Sequence, residues 1–358
     1  MPAIHPPSKV LVSGANGFVA TWVIRNLLEH GYSVRGTVRS ARKGEHLKKY
    51  FAGYGDKLEI VIVEDITKEG AFDKAVKCVD AIVHMASPIS DHFNHSDDIM
   101  PDDLLLTVNH PCSQSIKRVV FTSSGATIMQ ESDTPVVLTE KDWNIECLEM
   151  FKELGGNAPD SVKYRASKVF AEQGAWKFMQ EHEIGWDLTV LNPTYVFGPV
   201  IHEVTDPSSL NLTPGLFYRY VANPVKSEEA DNEFLAKTGS AWTDVRDLAD
   251  AHRLALEIEE AKNERIIISA GGKISVSASI PAQIGADGDI AEVDIANALD
   301  PPPNLSNPLP RGNTGASSQA TVDLYLDNTK SKRVLGLKYR SMAEMTKDTL
   351  ADYEARGW

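Results

Sequence analysis

The sequence predicts an α/β chain built on a doubly wound parallel sheet, with a smaller lobe formed by its C-terminal part. Three observations lead there. Short apolar runs alternate with amphipathic stretches through the first half, a glycine-patterned turn joins the first run to the first helix, and the alternation breaks down after Asn192.

The elements follow in order. Residues 9–13 (KVLVS) read as a buried strand. Over 18–30 the apolar residues Phe18, Val19, Trp22, Val23, Leu27 and Leu28 recur at helical spacing, and Gly31 fits the position just past a helix end. A second strand is expected at 33–38, a second helix at 43–51, and further strands at 58–63, 81–85 and 118–123. A long helix is expected at 163–182 and a sixth strand at 187–192. Right-handed crossovers between parallel strands then give helices on both sheet faces. Residues 193–240 are loop-rich, 244–258 read as a helix, and 265–269 as a strand that rejoins the sheet. Residues 271–315 are rich in Gly, Ala, Ser and Pro, and 342–353 form a closing helix. The expected division is therefore a nucleotide-binding domain over 1–192, rejoined by about 241–270, and a substrate-binding lobe from 193–240 and 271–358.

Composition narrows the function. The 358 residues are 42% apolar and 24% charged, ordinary for a globular protein, and the formal net charge is −14. A field of that sign argues against nucleic acid or an anionic membrane as partner. No apolar run is long enough to span a bilayer. Residues 1–8 lack a basic stretch followed by an apolar one, so no signal peptide is expected. Cys78, Cys112 and Cys147 are too few and too widely spaced for a disulfide framework or a metal site, which fits a reduced, cytoplasmic protein without metal. Against the acidic background stands one basic island of Arg35, Arg39, Arg42, Lys43, Lys48 and Lys49, opposed only by Glu45.

Gly14, Gly17 and Ala20 make a G-x-x-G-x-x-A pattern directly after the first strand and at the opening of the first helix. Gly14 permits a sharp turn, Gly17 a close approach of backbone to pyrophosphate, and Ala20 tight packing of helix on sheet. This is the context of a Rossmann-type dinucleotide site, with Gly14, Asn16, Gly17, Phe18 and Val19 expected at the cofactor. The second strand ends at Arg39, where an NAD site carries an acidic residue, so NADPH/NADP+ is the expected cofactor. Lys43 adds a second charge for the 2′-phosphate. Asp65 and Ile66, after the third strand, are expected near the adenine, although Asp65 would equally serve as a local cap.

The fifth strand runs out into Ser123-Ser124, and Tyr164 and Lys168 follow on a helix at i and i+4. That spacing puts an ammonium beside a phenol. A free phenol loses its proton only near pH of about 10, and a neighbouring positive charge favours the phenolate. Such a tyrosine can give a proton to a carbonyl oxygen while a serine hydrogen-bonds the same oxygen. Spacing alone leaves Ser123 and Ser124 both open.

The chain resembles the extended short-chain dehydrogenases, in particular the dihydroflavonol reductases and the fungal aldehyde and ketone reductases. The resemblance rests on residues 12–20 (VSGANGFVA), Arg39-Ser40, 84–88 (HMASP), 121–124 (FTSS), 164–168 (YRASK), 192–199 (NPTYVFGP), 244–247 (DVRD) and 327–331 (DNTKS). It implies Ser124, Tyr164 and Lys168 as catalytic residues, with Ala86, Ser87, Pro193 and Val196 on the nicotinamide side. It implies NADPH-dependent reduction of a small-molecule aldehyde or ketone by a monomer or homodimer. A CoA thioester substrate is disfavoured, because Val162-Lys163 replaces the Asn-Trp pair of cinnamoyl-CoA reductases. Two regions depart from the family pattern. The crossover over 101–117 looks short by roughly three helical turns, putting Asn109, which matches an active-site brace, at its edge, and 273–290 lacks the usual aromatic connection. The alternatives are an NADP-binding protein with little or no activity, and an NADP-dependent epimerase or dehydratase. Phe217, Tyr218, Tyr220, Phe234 and Trp242 would line an apolar pocket or belong to the core.

Overall fold

The computed structural model describes residues 4–87, 115–130, 132, 134–223, 241–271, 295–309 and 324–358. Seven strands form the main sheet: β1 Lys9–Val12, β2 Ser33–Val38, β3 Leu58–Ile62, β4 Ala81–His84, β5 Arg118–Thr122, β7 Asp187–Pro193 and β10 Arg265–Ile268. Their order is β10-β7-β5-β4-β1-β2-β3, and all six pairings are parallel. The chain grows outward from β1 through β2 and β3, then returns to the other side of β1 with β4. Strand order therefore reverses between β1 and β4, the place where α/β sheets open a crevice at their C-terminal edge.

The apolar runs are continuous because both faces are covered. Val10 and Val12 point into one core with Val34, Val83 and Ile24, while Leu11 points into a second with Ile82, Val119 and Leu188. The first core takes in helix α1, Phe18–Glu29, packed on helix α6, Val245–Glu257. The second takes in Ala175 and Phe178 of helix α4, Asp160–Glu181. Helix α2 runs over Ala41–Tyr50 and helix α8 over Met342–Ala355. Expected and observed elements agree within three residues at their ends, the largest shift being the start of α4 at Asp160 instead of residue 163.

The region after Asn192 holds more structure than its composition suggests. Strand β8, Tyr195–Phe197, pairs with β9, Trp242–Asp244, and helix α5 covers Leu212–Phe217. Strand β6, Val136–Leu138, pairs with β11, Leu324–Leu326, and helix α3 covers Ile145–Leu154. A last short helix, α7, covers Thr329–Val334. Phe217 and Trp242 are core residues, and Tyr218 packs edge-on against Tyr353 and Trp358. For Phe217 and Trp242 the core reading holds over the pocket reading, while Tyr218 is half-buried against the core. Phe234, Asn109, residues 101–114 of the crossover expected to be short over 101–117, and the stretch 273–290 lie outside the described residues. Among the described residues no helix is long and apolar enough to cross a membrane.

Two buried arginines tie strands of the sheet to their surroundings. Arg118 and Asp187, opposite one another at the N-terminal ends of β5 and β7, pair at 2.5 Å with both side chains inside the protein. Arg35 is 8% exposed and bonds Glu59 and the carbonyls of Ala75 and Lys77. It braces strands and does not belong to the basic island.

His252 of α6 joins that helix to the end of β5. Its Nδ1–H donates to the Leu248 carbonyl at 2.7 Å, which leaves Nε2 to accept the Thr122 hydroxyl at 2.8 Å. Burial pushes this imidazole down to about 4. The unfolded chain then binds more protons than the folded one between pH of about 6.5 and 4, so stability is lost as pH falls through that window. Urea unfolding of the native chain should lose about 3 kcal/mol more across this range than that of His252→Gln. Equal pH dependence of the two would show that His252 is not held neutral.

Candidate active site

The site is built at the C-terminal edge of the sheet, from loops on both sides of the strand reversal. Ser13 follows β1, and its Oγ accepts the N–H groups of Met85 and Ala86, each at 2.9 Å. Its own proton therefore goes to His84 Nδ1 at 2.8 Å. One hydroxyl thus fastens the exit of β1 to the exit of β4. Gly14 has φ 65°, and a Cβ there would stand 3.3 Å from both N and Cα of Ala86. Crowding and left-handed backbone both favour glycine at this crossing.

The turn continues through Ala15, whose N–H bonds the Thr37 carbonyl at 2.9 Å, and closes with Gly17 N–H on the Gly14 carbonyl at 3.0 Å. Helix α1 starts at Phe18, with no side-chain cap and no acidic residue in its first turn. First-turn N–H groups have no partner inside their helix. Here no side chain caps them, Asn16 and Val19 are half-buried beside them, and such a helix start suits an anion. Arg39 is exposed just past β2, and Lys43 is half-buried one turn into α2. A dinucleotide with a 2′-phosphate fits this set: a glycine cradle, an uncapped helix start and two cations where a carboxylate would repel it. Asp65 Oδ1 accepts the N–H and hydroxyl of Thr67 at 3.0 and 2.7 Å. These bonds hold its carboxyl below the usual range and make it the cap of its own turn. Ile66 packs against the second core.

On the reacting side the two serines part ways. The Ser123 hydroxyl points inward and donates to Glu172 Oε2 at 2.5 Å, with Glu172 fully buried. Ser124 is half-exposed, and its Oγ accepts the Ala126 N–H at 3.1 Å at the start of the turn Gly125–Thr127. Spacing left this choice open, and burial favours Ser124. Tyr164 and Lys168 lie on one face of α4, with Lys168 Nζ 5.9 Å from the Tyr164 ring centre. Tyr164 is 41% exposed, accessible to a bound molecule. Lys168 Nζ donates to Ser87 Oγ at 3.1 Å, a link across to the turn after β4. Pro193 ends β7 beside Ile268 of β10, and its carbonyl oxygen lies 3.4 Å from where a Cβ on Gly125 would stand. Val196 is buried in β8.

Sequence reasoning missed the polar group beneath these residues: Glu172, Thr127, Asn192 and Arg265. A signal was present, because Glu172 continues the four-residue step from Tyr164 and Lys168. Among the described residues no group of His, Cys, Asp and Glu could hold a metal ion.

Comparison with known proteins gives a consistent result. A family model described as the NAD dependent epimerase/dehydratase family matches residues 10–271. The ketoreductase azaE of Aspergillus niger is 34% identical over 348 residues, which cover 93% of this chain and 94% of the relative. The NADPH-dependent methylglyoxal reductase GRE2 of Saccharomyces cerevisiae is 32% identical over 357 residues, covering 95% and 96%. The crystal structure of Gre2 with NADPH from Candida albicans superposes with a TM-score of 0.74 at 29% identity, covering 97% of this chain and 98% of that one.

The crowding at Gly14 yields a direct test. Gly14→Ala adds a methyl group in left-handed backbone and against Ala86, so it should weaken NADPH binding at least about tenfold and destabilise the fold by about 1–3 kcal/mol. Calorimetric titration with NADPH and thermal unfolding would measure the two effects.

Proposed function

The chain belongs to the NAD dependent epimerase/dehydratase family, and within it we propose that it reduces an aldehyde or ketone to an alcohol with NADPH, Tyr164 being the proton donor. One observation carries the reading. The turn that begins at half-exposed Ser124 packs on the helix that carries exposed Tyr164 and Lys168, Lys168 is tied to Ser87 after β4, and the glycine turn after β1 crosses Ala86 beside that residue, with Arg39 exposed past β2 and Lys43 half-buried in α2. The reductase names of the full-length relatives support it.

Gly14, Asn16, Gly17, Phe18 and Val19 would hold the pyrophosphate, and Arg39 and Lys43 the 2′-phosphate. Asp65 and Ile66 would face the adenine; Ala86, Ser87, Pro193 and Val196 would line the nicotinamide side. When bound, the reduced cofactor supplies the hydride. The protein supplies the rest. Ser124 donates a hydrogen bond to the carbonyl oxygen, fixing its position and stabilising the charge that grows there. The Tyr164 hydroxyl passes its proton to that oxygen, and the Lys168 ammonium stabilises the phenolate left behind. Lys168 is held for this task by its bond to Ser87. A reductase consumes NADPH in step with product, which separates it from an epimerase and from a protein that only binds cofactor.

Two outcomes are expected. Tyr164→Phe should lower NADPH-dependent turnover of an aldehyde and ketone panel by about 10²–10⁴-fold while leaving the NADPH dissociation constant unchanged. Substantial activity in that variant would remove Tyr164 as donor. Arg39→Ala should raise KM for NADPH by about 10–100-fold, the loss of charge-assisted hydrogen bonds, and leave KM for NADH nearly as it was. A parallel rise for both cofactors would place Arg39 away from the 2′-phosphate.

A further inference from the structure

We infer that Glu172 is a positioning residue for this reaction: its buried carboxylate sets the Ser124 turn at a fixed place against the helix face that carries Tyr164 and Lys168. The inference rests on the reductase reading above and deepens it.

Glu172 lies four residues past Lys168 and eight past Tyr164 on α4, so all three share one face of the helix. Its Oε2 accepts from Ser123 Oγ at 2.5 Å and from Asn192 Nδ2 at 2.8 Å. Thr127 Oγ1 lies 2.9 Å from both Glu172 Oε2 and the Ser124 carbonyl oxygen, with one proton to share between them. Asn192 Nδ2 also lies 3.0 Å from Thr127 Oγ1 and 3.4 Å from the Ser124 carbonyl oxygen. The residues immediately before and three places after Ser124 are therefore both fastened to one carboxylate, and through it to α4.

The opposite oxygen explains how a charge is kept there. Oε1 accepts from Arg265 Nε at 2.5 Å. The same guanidinium bonds the carbonyls of Glu140 and Asp142 at 2.6 and 3.1 Å and stacks 3.6 Å above the Trp143 ring. A buried ion pair is a poor source of stability, since apolar side chains of similar volume often do as well or better. An apolar side chain, however, cannot gather three directional donors from the residue after β5, from β7 and from the turn Gly125–Thr127. Proton and hydride transfer depend steeply on placement, and a displacement of about 1 Å costs on the order of 10²-fold in rate.

Glu172→Gln keeps shape and volume but presents an amide whose donors face Arg265 or Asn192. Thr127→Val keeps the volume of its side chain and removes the hydroxyl between Glu172 and Ser124. Asp187→Asn serves as control, because it breaks the buried Arg118 pair on the same two strands at their far end. Glu172→Gln should lower kcat ten- to a hundredfold and Thr127→Val several-fold, with NADPH dissociation constants within twofold of the native chain. Deuteride in place of hydride should slow both variants more than it slows the native protein. Asp187→Asn should lower the unfolding midpoint and leave kcat within twofold at a temperature where it is folded. The inference is overturned if folded Glu172→Gln and Thr127→Val keep native kcat, or if Asp187→Asn loses kcat as they do; should Glu172→Gln not fold, Thr127→Val decides. A native chain that turns over no carbonyl defeats the reductase reading and this one with it, whereas an active native chain with unaffected variants defeats the positioning role alone.

Discussion

In a sheet whose strands all run one way, every strand delivers its C-terminal end to the same edge, and loops leaving neighbouring strands are usually drawn to the same side. The exception is the reversal between β1 and β4, where the chain leaves in opposite directions and a crevice opens. Such a gap needs a fastening that takes little room. Ser13 provides it with a single hydroxyl that accepts two N–H groups from the turn after β4 and donates to His84. Gly14 then passes so close to Ala86 that a side chain there would be crowded. The cradle and the Ala86–Ser87 turn are thus one unit. Because Ser87 in turn accepts from Lys168, the placement of the Lys168 side chain is tied to that of the glycine turn after β1.

The parts of this fold that could be read in advance are those that local patterning controls. KVLV over β1 is continuous because its neighbours in space alternate between two cores, and the spacing of Phe18, Val23, Leu27 and Leu28 is that of a helix with one buried face. Other elements depend on partners far away in sequence. Val136–Leu138 becomes a strand because Leu324–Leu326 lies beside it, and three residues carry too little pattern to show this. Arg35 counts as one basic residue among several until the register of β2 on β3 sets it opposite Glu59. Residues with the same composition then divide, Arg35 bracing strands while Arg39 reaches solvent.

The site was legible to the same extent. Two glycines and an alanine at fixed spacing, an arginine at a strand end and a Tyr/Lys pair one turn apart can each be seen in a linear sequence, because each is set by one local geometry. The choice between Ser123 and Ser124 is not of that kind. It turns on which hydroxyl meets Glu172, a residue whose burial is set by the packing of α4 on the turn after β5. Asp65 shows the reverse case: its bonds to Thr67 were foreseeable as a local cap, and the structure gives that role without excluding the adenine side.

Buried polar contacts sit at both ends of β5. At the N-terminal ends of β5 and β7, Arg118 pairs with Asp187 and bonds the carbonyls of Ala255 and Ile258 at the end of α6. At the C-terminal end of β5, Thr122 bonds His252 of the same helix, and Ser123 bonds Glu172 of α4. The last residue of β5 and the one after it are thereby fixed to the two helices that cover opposite faces of the sheet. Apolar packing would hold those helices on the sheet but would tolerate sliding, since it has no direction. Hydrogen bonds to Thr122 and Ser123 define how far along β5 each helix sits, and Ser124 is the next residue of the chain. These contacts set the two helices along the sheet at the last residue of β5 and the one after it, directly before Ser124.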